Sequence, residues 1–284
     1  AAGFARRGWQ ATVLESAAAP LRGGSAQPLC ADHLHLSPDD NPLARLTRSA
    51  LGWRKLDAAL ASRAPLGKLL VDADEREHAA RAAMLARLGF PGSFVRQLAR
   101  DEASDAIGVR LPRGGLWLPG CDALDPSALA AAWLATPGVA LRCGAAVATL
   151  EPANGGWVAR DAAGRALGEA AVAILANAGD AARLSGMGSF ALRRVRGQST
   201  LVDRERIGAL RAVIGGDAYA APLGDAILVG ASFDDGASLE PSADVDAANL
   251  GRLARTIGGD PRDWLAAARS GPGGHRFAGP DRMP

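Results

Sequence analysis

The chain has 284 residues, 48% of them hydrophobic, and is therefore long enough to bury a sizeable core in one elaborated domain or two. Lys and Arg (32) nearly balance Asp and Glu (30), so the formal charge of +2 carries no global signature of a nucleic-acid binder. No apolar run approaches the roughly 18 residues that span a bilayer and no leader precedes Ala1, so a cytoplasmic location and no membrane partner are expected.

The first elements predict the second half of a βαβ unit. Residues 1–7 are expected to continue a helix, and Gly8 suits its left-handed cap. Residues 11–14 form a short strand that ends at Glu15. Because the helix starts without a methionine or a capping residue, we expect the chain to be a fragment.

Three helices are expected between residues 41 and 98. Asn41 and Pro42 supply a cap and a first-turn proline for a helix that runs to about residue 62, with apolar residues at helical spacing. A second helix spans residues 73–88 and ends at Gly89, and a short third helix follows at residues 93–98.

Helices and strands alternate from residue 125 onward. Asp125 and Pro126 open a helix that ends before Pro137, and strands are expected at residues 139–143 and 146–150. Residues 156–160 and the stretch after Gly164 predict a hairpin, and the apolar run 171–175 predicts a buried strand. Short apolar runs from residue 193 to about 232 are typical of antiparallel strands, and residues 243–257 return to helix.

The spacing from Gly8 to Glu15 matches the tail of a dinucleotide-binding fingerprint. In that motif an acidic residue at the end of the second strand accepts hydrogen bonds from a ribose hydroxyl pair. The phosphate-binding glycines would then lie about nine residues before Ala1. Taken alone the signal is weak, because Glu15 could equally end a surface strand.

Five ordered segments carry a more specific signal. They are residues 5–15 (ARRGWQATVLE), 37–48 (SPDDNPLARLTR), 194–198 (RVRGQ), 229–234 (VGASFD) and 275–284 (HRFAGPDRMP). Together they resemble the FAD-dependent oxidoreductases that act on 5-carboxymethylaminomethyl-2-thiouridine in tRNA. Members of that family are usually fused behind a methyltransferase domain, which uses S-adenosylmethionine.

The resemblance implies the fold of D-amino-acid and glycine oxidases. This is an α/β fold in which a Rossmann-like FAD-binding domain is interrupted by a substrate domain built on an antiparallel sheet. The expected FAD-binding domain comprises residues 1–64, 118–190 and 272–284 and is incomplete at both ends. The expected substrate domain comprises residues 65–117 and 191–271.

The resemblance also implies a set of cofactor-binding residues. Glu15 would hold the ribose, small residues after that strand would let the backbone approach the flavin and pyrophosphate, and a later strand end would touch the adenine. Each could instead be an ordinary loop or strand end, and the family's Gly-Asn after the serine is replaced by Ala26-Gln27 here. The expected cofactor residues are Glu15, Gly23, Gly24, Ser25, Val147, Ala176, Asn177, Ala178 and Gly179.

Arg276 is the candidate substrate-binding residue. The resemblance places it in a turn where an arginine forms a bidentate pair with the substrate carboxylate, a geometry that lysine cannot reproduce. A surface arginine is the alternative. His35 either lines the flavin cavity or is a structural histidine, and no metal site is expected because no third ligand clusters with His33 and His35.

Two other groups of residues are expected to play structural roles. Arg193, Arg194 and Arg196 could meet phosphates, but such a cluster is more typical of a solvated face. Three cysteines without metal or redox spacing favour buried thiols in a reducing compartment, and they are Cys30, Cys121 and Cys143.

The reaction implied by the resemblance is hydride transfer from the glycyl methylene of the modified uridine, at the wobble position of the tRNA anticodon, to FAD. Hydrolysis of the resulting imine gives the aminomethyl uridine and glyoxylate, and oxygen reoxidises the flavin. Such an oxidoreductase needs orientation and a carboxylate clamp more than a protein acid or base. Two alternatives stay open: a small-molecule glycine or sarcosine oxidase, and a flavin-free, non-catalytic fragment of the same fold.

Overall fold

The computed structural model describes residues 1–54, 56–57, 60, 64–186, 192–236 and 238–279. The chain divides into two compact units, each assembled from separated stretches. The first unit comprises Ala1–Ala26, Pro126–Val195 and the residues from His275 onward, and the second comprises Gln27–Asp125 and Arg196–Gly274. Residues 27–64, 118–125 and 272–274, which the sequence assigned to the FAD-binding domain, are thus grouped with the second unit.

Strands and helices are numbered along the chain. The strands are β1 (Ala11–Leu14), β2 (Cys30–Ala31), β3 (Lys68–Val71), β4 (Arg96–Leu98), β5 (Gly115–Leu118), β6 (Ala123–Leu124), β7 (Val139–Arg142), β8 (Thr149–Ala153), β9 (Gly156–Arg160), β10 (Ala166–Ala170), β11 (Arg193–Asp203), β12 (Val213–Gly215), β13 (Tyr219–Leu223), β14 (Ala226–Gly230) and β15 (Ala268–Ala278). The helices are α1 (Ala2–Ala5), α2 (Pro42–Arg54), α3 (Glu75–Leu88), α4 (Arg100–Ile107), α5 (Pro126–Leu134), α6 (Ala181–Ser185), α7 (Arg204–Ile207), α8 (Ala243–Ile257) and α9 (Pro261–Leu265). Within the described ranges, none of these helices has the length and hydropathy needed to cross a lipid bilayer.

The first unit contains the βα elements predicted at the N-terminus. Strand β1 pairs in parallel with β7, and the Ala11 N–H donates to the Gly138 carbonyl at 2.8 Å. Gly8 has a φ of 86°, as expected for a left-handed cap, although α1 is shorter than the predicted helix. Strands β8, β9 and β10 form an antiparallel meander that includes the predicted hairpin.

The second unit is built on a mixed sheet of eight strands in the order β15-β11-β14-β13-β12-β3-β5-β4. The antiparallel strands predicted between residues 193 and 232 are its β11 to β14. Strand β12 instead pairs in parallel with β3, with Ile214 opposite Leu69. This pairing joins two stretches of chain that lie far apart in sequence.

Helix α8 covers one face of this sheet and begins and ends where the sequence predicts. Its residues Leu250, Leu253 and Ile257 recur at helical spacing and are buried in the same core as Val202 and Ile227 of the sheet. Burial of each such side chain contributes roughly 1.5–3 kcal/mol to folding. The helical spacing of apolar residues predicted α8 correctly because those same residues form the face that packs against the sheet.

Local capping explains where helices α3 and α2 begin and where α3 ends. In α3 the Asp74 carboxylate accepts the Glu77 N–H at 2.8 Å, and Gly89 ends the helix with a φ of 65°. In α2 the Asn41 side-chain oxygen accepts the Ala44 N–H at 3.0 Å, which confirms the predicted start. Helix α2 is described as far as Arg54, and most of its predicted continuation to about residue 62, namely residues 55, 58–59 and 61–62, lies outside the described ranges.

Two local predictions are wrong. Residues 93–98 are not a helix, because Arg96–Leu98 pairs with β5 and the helix follows at Arg100–Ile107. The strand expected at residues 146–150 lies at Thr149–Ala153, where it pairs with β9. In both cases pairing with a neighbouring strand overrides the local pattern.

The apolar run 171–175 does not form the predicted buried strand. It has no regular strand structure, and Val172 and Ile174 are 52% and 62% exposed. No strand pairs with this run in the part of the chain that the structure describes. A short apolar run becomes a buried strand only when neighbouring strands cover both its edges and faces, which the run itself does not specify.

Candidate functional site

Glu15 lies at the carboxyl end of β1 with one carboxylate oxygen available. Its backbone N–H donates to the Arg142 carbonyl at 3.0 Å, and its carbonyl accepts the Ala145 N–H at 2.8 Å. Oε1 accepts the Ala17 N–H at 2.8 Å, whereas Oε2 accepts no hydrogen bond from the described residues. A half-buried carboxylate with one available oxygen at a parallel strand end suits a ribose hydroxyl pair.

The segment Gly23-Gly24-Ser25 forms a short 3-10 helix, and one of its glycines cannot be replaced without displacing backbone. A Cβ on Gly24 would lie 2.6 Å from the carbonyl oxygen of His275. Gly23 has a φ of 64°, and a Cβ there would meet no atom within 4 Å. The glycine segment therefore packs directly against the backbone of the strand that carries Arg276.

Arg183 links Val147 to the segment 176–179. Its guanidinium donates to the carbonyls of Val147 at 3.1 Å and Ala148 at 2.5 Å, and to the Asp180 carboxylate at 2.7 Å. This hydrogen bond from Arg183 lowers the pKa of Asp180 below its usual range. Arg183 was not predicted as a site residue, although an Asp and an Arg three residues apart in a short helix are a recognisable pairing pattern.

The segment 176–179 contains a left-handed residue next to a glycine in close contact. Ala178 has a φ of 50°, which costs a non-glycine residue about 1–2 kcal/mol. A Cβ on Gly179 would lie 2.3 Å from Cε1 of Phe277, so this position has no room for a side chain. Strained backbone of this kind is concentrated at functional sites.

Arg276 lies on strand β15 and not in the expected turn. The extended backbone follows from the position of β15 beside β11 at one edge of the main sheet. Because side chains alternate along a strand, Arg276 lies on the face opposite Phe277, and it is exposed.

A continuous series of contacts within the first unit joins all the predicted cofactor segments to the Arg276 strand. Glu15 contacts Ala145, the segment after Ala145 is bound by Arg183, and Arg183 pairs with Asp180 beside Gly179. Gly179 packs on Phe277, and Gly24 packs on His275. The available oxygen of Glu15 and the space beside the backbone at Gly23 fit the ribose and the close approach of FAD.

His35 belongs to the second unit, where the segment that precedes it is held by charges. The His35 N–H donates to the Thr47 hydroxyl at 3.1 Å. Three residues earlier, the Asp32 carboxylate pairs with Arg54 at 2.9 Å and its carbonyl accepts from Lys68 Nζ at 2.8 Å. Burial raises the pKa of Asp32 and lowers that of Lys68. The sequence did not suggest this cluster, whose members are separated by up to 36 residues.

Arg196 is not part of a solvated basic face, in contrast to the exposed Arg193 and Arg194. It is buried, with a side chain 7% exposed, and pairs with Asp234 at 3.3 Å. Its guanidinium also donates to the Ser238 carbonyl at 2.6 Å and the Glu240 carbonyl at 2.7 Å. The Arg196 guanidinium therefore links three residues that follow β14, namely Asp234, Ser238 and Glu240.

A family model described as "FAD dependent oxidoreductase" matches residues 1–284. The chain is similar to the tRNA 5-methylaminomethyl-2-thiouridine biosynthesis bifunctional protein MnmC of Cupriavidus metallidurans, at 37% identity over 89% of this chain and 40% of that protein. It is 35% identical to the protein of the same name from Ralstonia nicotianae, over 95% of this chain and 43% of that protein. The chain thus spans about two fifths of the length of these relatives.

Solved structures show the same fold at low identity. A glycine oxidase from Geobacillus kaustophilus has a TM-score of 0.74 at 20% identity, covering 96% of this chain and 77% of that chain. An L-proline dehydrogenase from P. horikoshii has a TM-score of 0.78 at 14% identity, covering 100% and 79%. The predicted α/β fold of the D-amino-acid-oxidase type is confirmed by these likenesses, and the full-length family match shows that the chain belongs to the FAD-dependent oxidoreductase family.

Proposed function

We propose that this chain is the oxidase region of an enzyme that removes the carboxymethyl group from 5-carboxymethylaminomethyl(-2-thio)uridine at the tRNA wobble position. The products are the aminomethyl uridine and glyoxylate. The proposal is supported by relatives named for 5-methylaminomethyl-2-thiouridine biosynthesis in tRNA. Its partners would be the tRNA anticodon region and a fused methyltransferase domain using S-adenosylmethionine, and its location the cytoplasm.

In this proposal the chain's own residues bind the cofactor and orient the substrate. When bound, FAD supplies the hydride acceptor for oxidation of the substrate methylene. Glu15 holds the ribose, the backbone at Val147 contacts the adenine, and the segments at residues 23–25 and 176–179 approach the pyrophosphate and flavin. Arg276 clamps the carboxylate of the carboxymethylaminomethyl group through two parallel hydrogen bonds.

The observation that carries the proposal is that β15 packs closely against two glycines, Gly24 and Gly179. Its backbone packs on Gly24 at His275, and its Phe277 ring packs on Gly179, so Arg276 lies between the two points of contact. A guanidinium on a strand secured at both neighbouring residues can hold a carboxylate in a fixed orientation.

A small-molecule amine oxidase acting on glycine or sarcosine is the second candidate. It would share the fold, the flavin and the arginine, and a solved glycine oxidase has this fold. The relatives that are at least 35% identical over most of the chain carry tRNA-modification names, which favours the RNA substrate. A flavin-free fragment is the third reading, and it predicts no visible absorption.

The test uses the gene expressed with its natural ends. A visible spectrum with the absorption bands of an oxidised flavin is expected, followed by release of glyoxylate from tRNA that carries the carboxymethylaminomethyl group. Oxidation of glycine or sarcosine without turnover of modified tRNA would transfer the assignment to the second candidate. A colourless protein that gains no flavin on reconstitution would support the third.

Arg276→Lys tests the carboxylate clamp. A single ammonium cannot reproduce the bidentate geometry, so catalytic efficiency on modified tRNA should fall by about 2 to 4 kcal/mol while the FAD content stays at the wild-type value. Arg269→Lys is the matched control, because Arg269 lies on the same strand and is exposed beside Asp203. Near-wild-type turnover by Arg276→Lys would remove Arg276 from the substrate site.

A further inference from the structure

Arg183 binds two separate segments of the first unit with one planar side chain. Its Nη1 donates to the Ala148 carbonyl at 2.5 Å, and its Nη2 donates to the Val147 carbonyl at 3.1 Å. Nε and Nη2 also donate to the two oxygens of the Asp180 carboxylate, at 2.7 and 2.5 Å. The guanidinium therefore links the stretch that precedes β8 to the residue that begins α6.

The stretch before β8 has no regular secondary structure, and its backbone is held at both ends. At its start the Ala145 N–H donates to the Glu15 carbonyl at 2.8 Å. At its end the Ala148 N–H donates to the Arg160 carbonyl at 2.7 Å. Between these two points the guanidinium holds the carbonyl of Val147. This part of the backbone is thus fixed by contacts within the unit before a ligand binds.

The ion pair between Arg183 and Asp180 orients the guanidinium more than it stabilises the fold. Their side chains are 48% and 52% exposed, and exposed ion pairs contribute little to stability because water screens the charges. Asp180 accepts from Nε and Nη2, which leaves Nη1 and the other Nη2 hydrogen directed at the two carbonyls. Lysine could not make these contacts together, because its ammonium lacks a planar set of donors.

We propose that Arg183 is a positioning residue for the adenine half of FAD, an inference that rests on the proposed function. In that function the backbone at Val147 contacts the adenine, and Arg183 binds the Val147 carbonyl directly. A backbone that is already ordered loses less conformational entropy when the cofactor binds, so its affinity for the cofactor is higher.

The flavin half of the cofactor should depend less on Arg183. The segment 176–179 joins Arg183 only through Asp180, and Gly179 has a second contact, its close packing on the Phe277 ring. That packing does not involve the guanidinium. Loss of Arg183 should therefore weaken binding of the adenine half selectively.

The experiment uses the full-length protein, from which FAD is removed and to which FAD, ADP or FMN is returned. ADP carries the adenine half without the flavin, and FMN carries the flavin without the adenine. For Arg183→Ala we expect the Kd of FAD and of ADP to rise about tenfold and the Kd of FMN to stay within about twofold of wild type. Arg183→Lys should recover only part of the lost ADP affinity, because one ammonium cannot bind both carbonyls.

Arg165→Ala is the matched control. Arg165 forms a similar exposed ion pair with Asp161, at 2.7 Å, in the turn between β9 and β10 of the same unit. It contacts none of the proposed cofactor segments through this pair. All three Kd values and the midpoint of urea denaturation should match wild type in this variant.

The outcomes separate this inference from the proposed function. If wild-type protein binds FAD and Arg183→Ala keeps its Kd for ADP within about twofold, the positioning role is overturned and the proposed function stands. Equal rises in the Kd of ADP and FMN with a lower urea midpoint also overturn it, since they indicate a general loss of structure. If Arg183→Ala does not fold, wild-type ADP affinity in Arg183→Lys overturns the inference. If wild-type protein takes up no FAD, the proposed function fails and the inference fails with it.

Discussion

Burial distinguishes Cys121 from the other two cysteines. Cys121 is fully buried, whereas Cys30 and Cys143 are exposed, so the expectation of three buried thiols is correct only for Cys121. Burial raises the pKa of the Cys121 thiol from 9.0 to about 11, with the nearby Asp32 carboxylate adding to the effect. The thiolate is the reactive form of cysteine. Cys121 should therefore react slowly with thiol reagents, because little of it is ionised and because reagents cannot reach it.

Thiol counting at pH 8 should therefore show two classes. Cys30 and Cys143 should react with a chromogenic disulfide in the native chain, and Cys121 only after unfolding in guanidinium. A two-unit rise in pKa alone lowers the thiolate fraction about 100-fold at this pH. Cys121→Ser identifies the protected thiol. Reaction of all three thiols at one rate in the native chain would contradict the burial of Cys121.

Glu15 is the residue whose predicted role can be measured without turnover. In the full-length protein, Glu15→Ala should weaken FAD retention by roughly 2 to 4 kcal/mol, the value of one or two charge-assisted hydrogen bonds. Glu15→Gln should weaken FAD retention less than Glu15→Ala, because an amide oxygen still accepts a hydrogen bond from a ribose hydroxyl. Glu169→Ala, at an exposed site on β10, is the control. Equal flavin content in all three variants and wild type, after dialysis, would exclude Glu15 from the ribose site.

At the scale of elements, a buried polar network joins β11 to α8. Asp246 on the helix accepts from Thr200 at 2.6 Å and from Gln198 at 3.0 Å, and the Ser270 hydroxyl donates to its second oxygen. Asn249, one turn later, donates to the Gln198 carbonyl at 3.0 Å. The network is fully hydrogen-bonded, so it specifies the register of the helix on the sheet at low energetic cost.

Removing Asp246 should be far more damaging than removing an exposed carboxylate from the same helix. Asp246→Ala leaves one side-chain N–H of Gln198 and the Thr200 hydroxyl without an acceptor, so the free energy of unfolding should fall by about 2–4 kcal/mol. Asp244→Ala, in the exposed first turn, should cost less than about 1 kcal/mol. Urea denaturation followed by circular dichroism measures both. Equal effects would show that the network contributes no net stability.

At the scale of the whole molecule, the second unit depends on two stretches of chain that are separated by 70 residues in sequence. Its core combines Leu69 and Ile107 from the first stretch with Val202, Ile214 and Leu250 from the second. The parallel β3–β12 pair also draws one strand from each stretch. Neither stretch contains a complete core.

The fragment of residues 27–125 should therefore not fold alone. It lacks β12 and α8, and the apolar face of β3 would be exposed to solvent, so no cooperative unfolding transition is expected. A single chain that joins residue 125 to residue 196 through a Gly/Ser linker of about 20 residues should recover the transition. Cooperative unfolding of the 27–125 fragment would show that it contains an independent core.

Local signals in the sequence determined the elements whose physics is local. The start of α2 was predictable from the side-chain cap at Asn41, and two other helix ends were predictable from the left-handed glycines Gly8 and Gly89. The apolar residues of α8 recur at the spacing of the face that packs against the sheet. The five ordered motifs were sufficient for the family and for FAD, and the family match spans the same residues from 1 to 284.

Only the tertiary structure decided which residues meet and which apolar runs are covered. The pairing of Arg183 with Val147 spans 36 residues, and Arg196 is buried because residues 234–240 supply its acceptors. The run 171–175 is exposed although its composition resembles a buried strand. Burial and pairing are properties of neighbours that lie distant along the chain, so periodicity within a segment cannot determine them.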